Sequence, residues 1–221
     1  MISSWAFAAD KTPIRYVALG DSYTIGTGAP LDESWPARIT TRLRKKGFPI
    51  ELVGNLGHNG WTSQNLIDDE LPLLKELNPS FVTLLIGVND WVQGVDAQTF
   101  QRHLRHILEE LLKILPNPQR ILIITIPDFS VTPMGKQFSQ GRNIAQGIKE
   151  FNQIIIKEAQ LRGVKTVDLY PLSRTLGLDS SLIAQDGLHP SAKGYARWAD
   201  LIGPVFENQL LQIKSGGGYF S

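Results

Sequence analysis

Several things that the sequence lacks exclude whole classes of protein. The 221 residues include no cysteine, so disulfides, thiolate metal ligands and a cysteine nucleophile are ruled out. No apolar run approaches the roughly 18 residues that a membrane span needs, and we therefore expect no transmembrane segment. The 22 basic residues nearly cancel the 21 acidic ones, so no strong field exists to recruit nucleic acid or an anionic membrane surface.

The first residues lack a complete export signal. Ala6-Phe7-Ala8 resembles a signal-peptidase site, but only residues 1–5 precede it, without a basic region or an apolar stretch. This pattern slightly favours a cytoplasmic location, with export as the alternative.

The composition is that of a folded protein. Hydrophobic residues make up 42% and charged residues 19% of the chain, and the two kinds are mixed throughout, which argues against disorder. The length suits one globular domain. We expect that domain to cover residues 1–214 and to be followed by a flexible Gly-rich tail at 215–221.

Short apolar runs alternate with segments of helical period. The predicted strands lie at 15–19, 50–53, 81–86, 121–126 and 164–169. Each is followed by a predicted helix, and the helices lie at 34–46, 62–77, 97–115, 142–161 and 191–213. Such alternation is typical of βαβ crossovers. It predicts an α/β fold, a three-layer α/β/α sandwich with a five-stranded parallel sheet.

A serine directly follows the first predicted strand, within Gly20-Asp21-Ser22-Tyr23. This is the edge at which open parallel sheets bind ligands, so Ser22 is placed as a nucleophile would be. Taken alone, the motif could equally be a Ser or Asp that caps the next turn. Thr24 stands where the α/β-hydrolase elbow requires glycine, which disfavours that superfamily.

A carboxylate and an imidazole lie together near the other end, in Asp186-Gly187-Leu188-His189-Pro190. A serine hydroxyl needs a neutral imidazole to take its proton, and the imidazole needs a carboxylate to hold its tautomer. Asp186 and His189 could do this. An Asp-Gly turn before a helix explains the segment equally well by itself.

Four segments together resemble the SGNH (GDSL-type) hydrolase family. The serine motif and the histidine motif are the first and last, and the two between them are Asn55-Leu56-Gly57-His58-Asn59-Gly60-Trp61-Thr62-Ser63 and Ile86-Gly87-Val88-Asn89-Asp90. All four occur in the family's order and approximate spacing. The resemblance implies a flavodoxin-like SGNH hydrolase fold, and it is closest to the bacterial acylesterase, arylesterase and lysophospholipase branch.

The resemblance also implies a role for each matching residue. Ser22 becomes the nucleophile, His189 its base and Asp186 the acid that orients the base. The backbone N–H of Ser22, Gly60 and the Asn89 amide become the donors that stabilise an oxyanion.

A second glycine competes with Gly60 for the oxyanion role. Gly57 lies in the same segment, and we prefer Gly60 because Thr62-Ser63-Gln64 starts a helix directly after it, as in the bacterial esterases. For Asn89 the alternative is an ordinary turn asparagine.

Apolar residues in the loops after the strands form the candidate substrate pocket. Trp61, Trp91, Phe129 and Met134 could line a pocket for an acyl group. They could equally fill the rim of the domain.

Histidines elsewhere do not suggest a metal site. His103 and His106 have the spacing of a metal pair on one helical turn, but no acidic or sulfur ligand pattern accompanies them. We expect both on a solvated helix face, and we expect no metal and no cofactor.

The expected activity is hydrolysis of a small acyl ester through an acyl-enzyme. Short- to medium-chain esters, aryl esters and lysophospholipids are the candidate substrates. The alternatives are a carbohydrate O-deacetylase that uses the same residues and a non-catalytic α/β binding module. The sequence does not indicate an oligomeric state.

Overall fold

The structure is a computed structural model that describes residues 13–215. The alanine-rich segment at 6–8 and residues 216–221 of the expected tail lie outside the described residues. Ser215, which we assigned to that tail, is instead the last residue of the final helix. One continuous core occupies the described part.

Five strands form one parallel sheet in the order β2-β1-β3-β4-β5. The strands are β1 (Ile14–Gly20), β2 (Ile50–Asn55), β3 (Phe81–Leu85), β4 (Ile121–Ile124) and β5 (Lys165–Val167). Every residue of β3 and β4 is buried, since helices cover both faces of the sheet. The predicted five-stranded parallel α/β fold is confirmed.

Helices fill the connections between the strands. They are α1 (Ser22–Ile25), α2 (Trp35–Lys45), α3 (Ser63–Asn65), α4 (Leu71–Leu77), α5 (Val88–Gln93), α6 (Ala97–Ile114), α7 (Ile144–Leu161), α8 (Tyr170–Ser173) and α9 (Ala192–Ser215). A π-helical turn, Leu66–Glu70, joins α3 to α4, so the helix expected at 62–77 is interrupted. Short 3₁₀ turns occur at Leu31–Glu33, Pro118–Arg120, Phe129–Val131, Gly135–Phe138, Leu176–Leu178 and Ser180–Leu182.

The sequence did not predict three short helices, each of which follows a strand. They are α1, α5 and α8, of four, six and four residues. A helix of one to two turns is too short to show a 3.6-residue period in the sequence. Two of them, α1 and α5, continue from the carboxyl ends of β1 and β3, and both contribute to the candidate site.

Aromatic stacks hold helices against the sheet and against one another. Phe206 of α9 stacks on Phe81 of β3, with ring centroids 4.0 Å apart. Phe100 of α6 stacks on Phe151 of α7 at 4.5 Å. All four side chains are buried, and each contributes roughly 2 to 3 kcal/mol by leaving water.

A buried carboxylate ties α6 to α7. The Glu158 side chain is 1% exposed and accepts hydrogen bonds from Arg105 at 2.9 Å, Gln101 at 2.5 Å and Arg162 at 2.7 Å. Burial by itself would raise the pKa of Glu158, but these hydrogen bonds and the Arg105 charge outweigh it and lower the pKa to about 2.

Glu158→Gln should therefore lower the free energy of unfolding at pH 7 by about 1 to 3 kcal/mol, since it loses charge-assisted hydrogen bonds. A depressed folded-state pKa contributes stability above the ordinary value of 4.5, and that stability is lost as pH falls towards about 2. The difference in free energy of unfolding between wild type and Glu158→Gln, measured by urea unfolding, should disappear over that pH range. Glu150→Gln is the matched control, because Glu150 is an exposed carboxylate on the same helix. A free-energy difference that stayed constant down to pH 2 would contradict a stabilising role for the ionised Glu158.

Candidate active site

Ser22 follows the carboxyl end of β1, the strand that lies between β2 and β3. Asp21 caps the short helix that begins there, and its carboxylate accepts a hydrogen bond from the Tyr23 N–H at 3.0 Å. Ser22 is the first residue of that helix and is 7% exposed. The turn thus holds the hydroxyl at a rigid place on the edge of the sheet.

The loop before α9 brings an imidazole to this hydroxyl. His189 Nε2 lies 2.9 Å from Ser22 Oγ, although 167 residues separate the two along the chain. On its other side, His189 Nδ1 lies 2.7 Å from Asp186 Oδ2. The structure therefore brings together all three residues that the sequence predicted as a triad.

Asp186 orients the imidazole through backbone as well as side chain. Its Oδ1 accepts hydrogen bonds from the N–H groups of Leu188 at 2.9 Å and His189 at 3.0 Å. Burial acts to raise the pKa of Asp186, but these bonds and the His189 ring lower it below its ordinary value. An ionised carboxylate only accepts, so Nδ1 carries the hydrogen and Nε2 is left to accept from Ser22.

Ser22 and His189 border a cavity of about 260 Å³. Loops after β1, β2, β3 and β4 all contribute to its wall, as expected for the carboxyl edge of a parallel sheet. Its lining residues are Ser22, Tyr23, Asn59, Gly60, Val88, Asn89, Val92, Phe129, Phe138, Leu188 and His189. Apart from Ser22, Asn59, Gly60, Asn89 and His189, this wall is largely apolar.

The two predicted oxyanion donors lie in the same wall and are linked to each other. Asn89 Nδ2 donates to the carbonyl of Trp61 at 2.9 Å, and Gln93 Nε2 donates to the carbonyl of Gly60 at 3.1 Å. An amide nitrogen carries two hydrogens, so Asn89 can hold the loop with one and face the cavity with the other.

Comparison with known sequences identifies the family. The profile of the GDSL-like lipase/acylhydrolase family matches residues 18–197, which include every residue of the candidate triad. The chain belongs to this family.

Relatives of this GDSL-like chain are named as esterases. It is 23% identical over 195 residues to an arylesterase of Vibrio mimicus, covering 88% of this chain and 89% of that protein. It is 25% identical over 221 aligned positions to a multidomain esterase of Ruminococcus flavefaciens, covering 83% of this chain but only 27% of that protein. The chain thus spans about a quarter of the length of that second relative.

Solved structures share the fold of this GDSL-like chain. A psychrotrophic esterase from Pseudoalteromonas sp. superposes with a TM-score of 0.70 at 18% identity, covering 88% of this chain and 97% of the other. At that level of identity, the likeness concerns the fold.

Buried carboxyl groups lie beneath the nucleophile turn. Burial raises the pKa of Asp21 to about 8, with the nearby charge of Asp90 adding to the effect. Burial likewise raises the pKa of Glu70 to about 9, although its Oε2 accepts from the Gly20 N–H at 2.9 Å. Burial thus disfavours negative charge on both groups, beside a site where an oxyanion would form.

Of the four residues predicted to line a substrate pocket, the cavity wall contains Phe129 and not the other three. Trp61 instead stacks on His58, with ring centroids 4.5 Å apart. Trp91 is 5% exposed and packs beneath the Arg142 guanidinium, 4.1 Å from the ring centroid. A flat aromatic ring gains more from these partners than from an open rim, so both tryptophans stabilise loops.

Met134 is the third residue outside the wall. Its N–H donates to the carbonyl of Gly187 at 3.0 Å, which ties the loop after β4 to the segment that carries Asp186 and His189. Met134 therefore supports the loop that carries His189.

Sequence reasoning missed most of the apolar wall. Val88 and Val92 are four residues apart and share a face of α5, a helix too short to predict. Phe138 ends the 3₁₀ turn Gly135–Phe138, and Leu188 lies inside the histidine motif, where it was assigned no role. The spacing of the two valines was the one usable signal.

His103 is not on a fully solvated face as predicted. It is half-buried, and its Nδ1 lies 2.9 Å from Ser63 Oγ; the prediction holds for His106, which is exposed. No group of three or more His, Asp or Glu side chains suited to a metal ion occurs within residues 13–215. No helix in that same range is long and apolar enough to cross a membrane.

The two candidate glycines differ in their surroundings. A Cβ on Gly57 would lie 2.6 Å from the Asp21 carbonyl oxygen and 2.7 Å from the Ile25 nitrogen, both of them backbone atoms. Gly60 has open space around it but a φ of +79°, and it alone of the two lines the cavity. Gly57 therefore serves close packing of two loops.

Gly57→Ala should lower the free energy of unfolding by about 3 kcal/mol, because the added methyl group forces the loops after β1 and β2 apart. Gly60→Ala should cost only about 1 kcal/mol, the strain of a positive φ in a residue with a side chain. Urea unfolding of the two variants gives the comparison. Equal losses, or a larger loss for Gly60→Ala, would show that the close approach at Gly57 is wrong.

Proposed function

We propose that this chain is a serine hydrolase that cleaves small carboxylic esters through an acyl-enzyme. The observation that carries the proposal is the hydrogen-bonded series Asp186–His189–Ser22, with distances of 2.7 and 2.9 Å, at the edge of an apolar cavity. Membership of a lipase/acylhydrolase family supports it.

In the first half of the reaction, Ser22 Oγ attacks the ester carbonyl while His189 Nε2 takes its proton. The imidazolium is stabilised by the ionised Asp186 and then gives the proton to the departing alcohol. In the second half, His189 takes a proton from water as the water oxygen attacks the acyl-Ser22 ester, and the imidazolium returns the proton to Ser22 Oγ as the acid leaves. The first of these proton transfers joins two atoms that already lie within hydrogen-bond distance, Ser22 Oγ and His189 Nε2.

The carbonyl oxygen becomes negatively charged in both halves and needs donors that are already in place. The backbone N–H of Ser22, the backbone N–H of Gly60 and the Asn89 amide fill this role. All three residues line the cavity, and the Asn89 amide is held in place by its other hydrogen bond. Such donors are worth roughly 3 to 4 kcal/mol each in the transition state.

The cavity suits a small acyl or aryl group. Val88, Val92, Phe129, Phe138 and Leu188 give it an apolar surface, and its volume of about 260 Å³ lies below the usual range for drug-sized ligands, roughly 300 to 1,000 Å³. We propose short- to medium-chain acyl esters or aryl esters as substrates. A sugar would find few hydroxyl partners on this wall, so O-deacetylation is the second candidate.

A substrate panel tests this order of candidates. We expect p-nitrophenyl esters to show kcat/KM rising from acetate to a medium-chain acid and falling again as the chain outgrows the cavity. Acetylated xylose, assayed beside them, should be hydrolysed with lower kcat/KM than p-nitrophenyl butyrate. The opposite order would favour a sugar deacetylase, and no turnover of any ester would favour a binding module.

Ser22→Ala should remove covalent labelling by a fluorophosphonate and lower kcat by several orders of magnitude, about 10⁴-fold or more, because no acyl-enzyme can form. Mass spectrometry of the labelled protein locates the adduct. Ser180→Ala is the matched control, since Ser180 is an exposed serine in the turn that precedes the histidine loop. Labelling that persists in Ser22→Ala would refute this assignment of the nucleophile.

A further inference from the structure

Two of the proposed oxyanion donors, Gly60 and Asn89, follow strands that are not neighbours in the sheet. Gly60 follows β2 and Asn89 follows β3, and in the sheet β1 lies between those two strands. Strand pairing therefore does not set the distance between the donors. Contacts between the loop after β2 and helix α5 must do so.

A buried carboxylate makes the strongest of these contacts. Asp90, next to Asn89, accepts a hydrogen bond from the Ser63 N–H at 2.8 Å through one oxygen and a short one from the Ser63 hydroxyl through the other. Asp90 and Ser63 are both fully buried. The pair fastens the start of α3, three residues beyond Gly60, to the first turn of α5.

His103 of α6 extends this contact by one more hydrogen bond. Its Nδ1 lies 2.9 Å from Ser63 Oγ. A serine hydroxyl has one hydrogen, and an ionised Asp90 carboxylate can only accept it. With Asp90 ionised, Ser63 Oγ therefore accepts from His103, which places the hydrogen on Nδ1 of the imidazole.

We infer that His103 is a positioning residue that acts through Ser63 and Asp90 to hold Gly60 and Asn89 at a fixed separation. The inference rests on the proposed function, since it concerns the donors that stabilise the oxyanion. His103 does not line the cavity, so it touches neither the substrate nor the reacting atoms.

The three residues are not a second catalytic triad, although they are a serine, a histidine and an aspartate. Ser63 has no exposed surface, and its hydroxyl hydrogen is directed at the carboxylate instead of at the imidazole. In a nucleophilic triad the hydroxyl donates to the imidazole and the imidazole to the carboxylate, whereas here the imidazole donates to the hydroxyl, which is therefore not activated.

The carboxylate needs this support because of where it lies. Burial raises the pKa of Asp90, and the two Ser63 hydrogen bonds and the His103 ring oppose that rise. If the support were lost, Asp90 would more readily take up a proton and become a weaker acceptor for the Ser63 N–H and O–H. The loop that carries Gly60 would then lose its strongest link to α5.

Replacing His103 tests the inference. His103→Leu should lower kcat about 10-fold with KM changed less than about 2-fold, because the misplaced donors matter chiefly in the transition state. His103→Asn should recover kcat to within about 3-fold of wild type, since its Nδ2 occupies the position of Nδ1 and can donate to Ser63. His106→Leu, one turn along the same helix and exposed, should behave as wild type.

Two kinetic outcomes would overturn the inference. One is unchanged kcat in His103→Leu. The other is a loss of kcat that His103→Asn fails to recover while recovering the melting temperature, which would indicate a role in stability alone.

A measurement on the resting protein separates this inference from the proposed function. The ¹⁵N NMR signals of His103, assigned by their loss in His103→Leu, should show hydrogen on Nδ1, and Ser63→Ala should shift them. A neutral ring with hydrogen on Nε2 alone would refute the link even in an active enzyme. Wild-type protein that hydrolyses no ester but shows the Nδ1 hydrogen would refute the proposed function and leave the link supported.

Discussion

The position of β1 between β2 and β3 is the constraint on which the candidate site depends. It pairs with β2 on one side and β3 on the other, so the loops that follow all three strands emerge next to one another. Ser22 follows the middle strand and therefore has Gly60 on one side and Asn89 on the other. Burial of β1 among helices on both faces makes this arrangement costly to disturb.

Around this arrangement, the site is held by hydrogen bonds between loops. The imidazole is oriented by Asp186, and the loop that carries it is tied to the loop after β4 through Met134. The loop after β2 is tied to α5 through Asn89 and Asp90. Loops held in this way can keep donors and nucleophile in register without ordering at the moment of reaction, which is what electrostatic preorganisation requires.

The buried acids show how the fold accommodates polar groups beneath an apolar cavity. Burial raises the pKa values of Asp21 and Glu70, whereas three hydrogen bonds outweigh burial at Asp186 and lower its pKa. Asp186, the carboxylate that would stabilise an imidazolium, is thus also the most exposed of the three. Environment, and not residue type, separates these roles.

The sequence by itself determined the fold class and the chemistry-bearing residues. Five apolar runs alternating with helical segments were enough for the parallel sheet, since period and strand length are local properties. Ser22, Asp186 and His189 could be named because each lies in a short motif whose members are adjacent in the chain. Their roles, and the choice of Gly60 and Asn89 as candidate donors, came from the resemblance of four segments to the SGNH hydrolase family.

Only the tertiary structure decided which side chains line the cavity and what holds the donors in place. Trp61 and Trp91 look like pocket residues in the sequence, but each packs against another side chain. Trp61 stacks on His58 of its own loop, and Trp91 packs against Arg142, which lies 51 residues further along the chain. His103 looks like a surface residue, but α6 brings it to Ser63, 40 residues away. Such contacts depend on where the ends of several elements meet, and no local pattern in the chain carries that information.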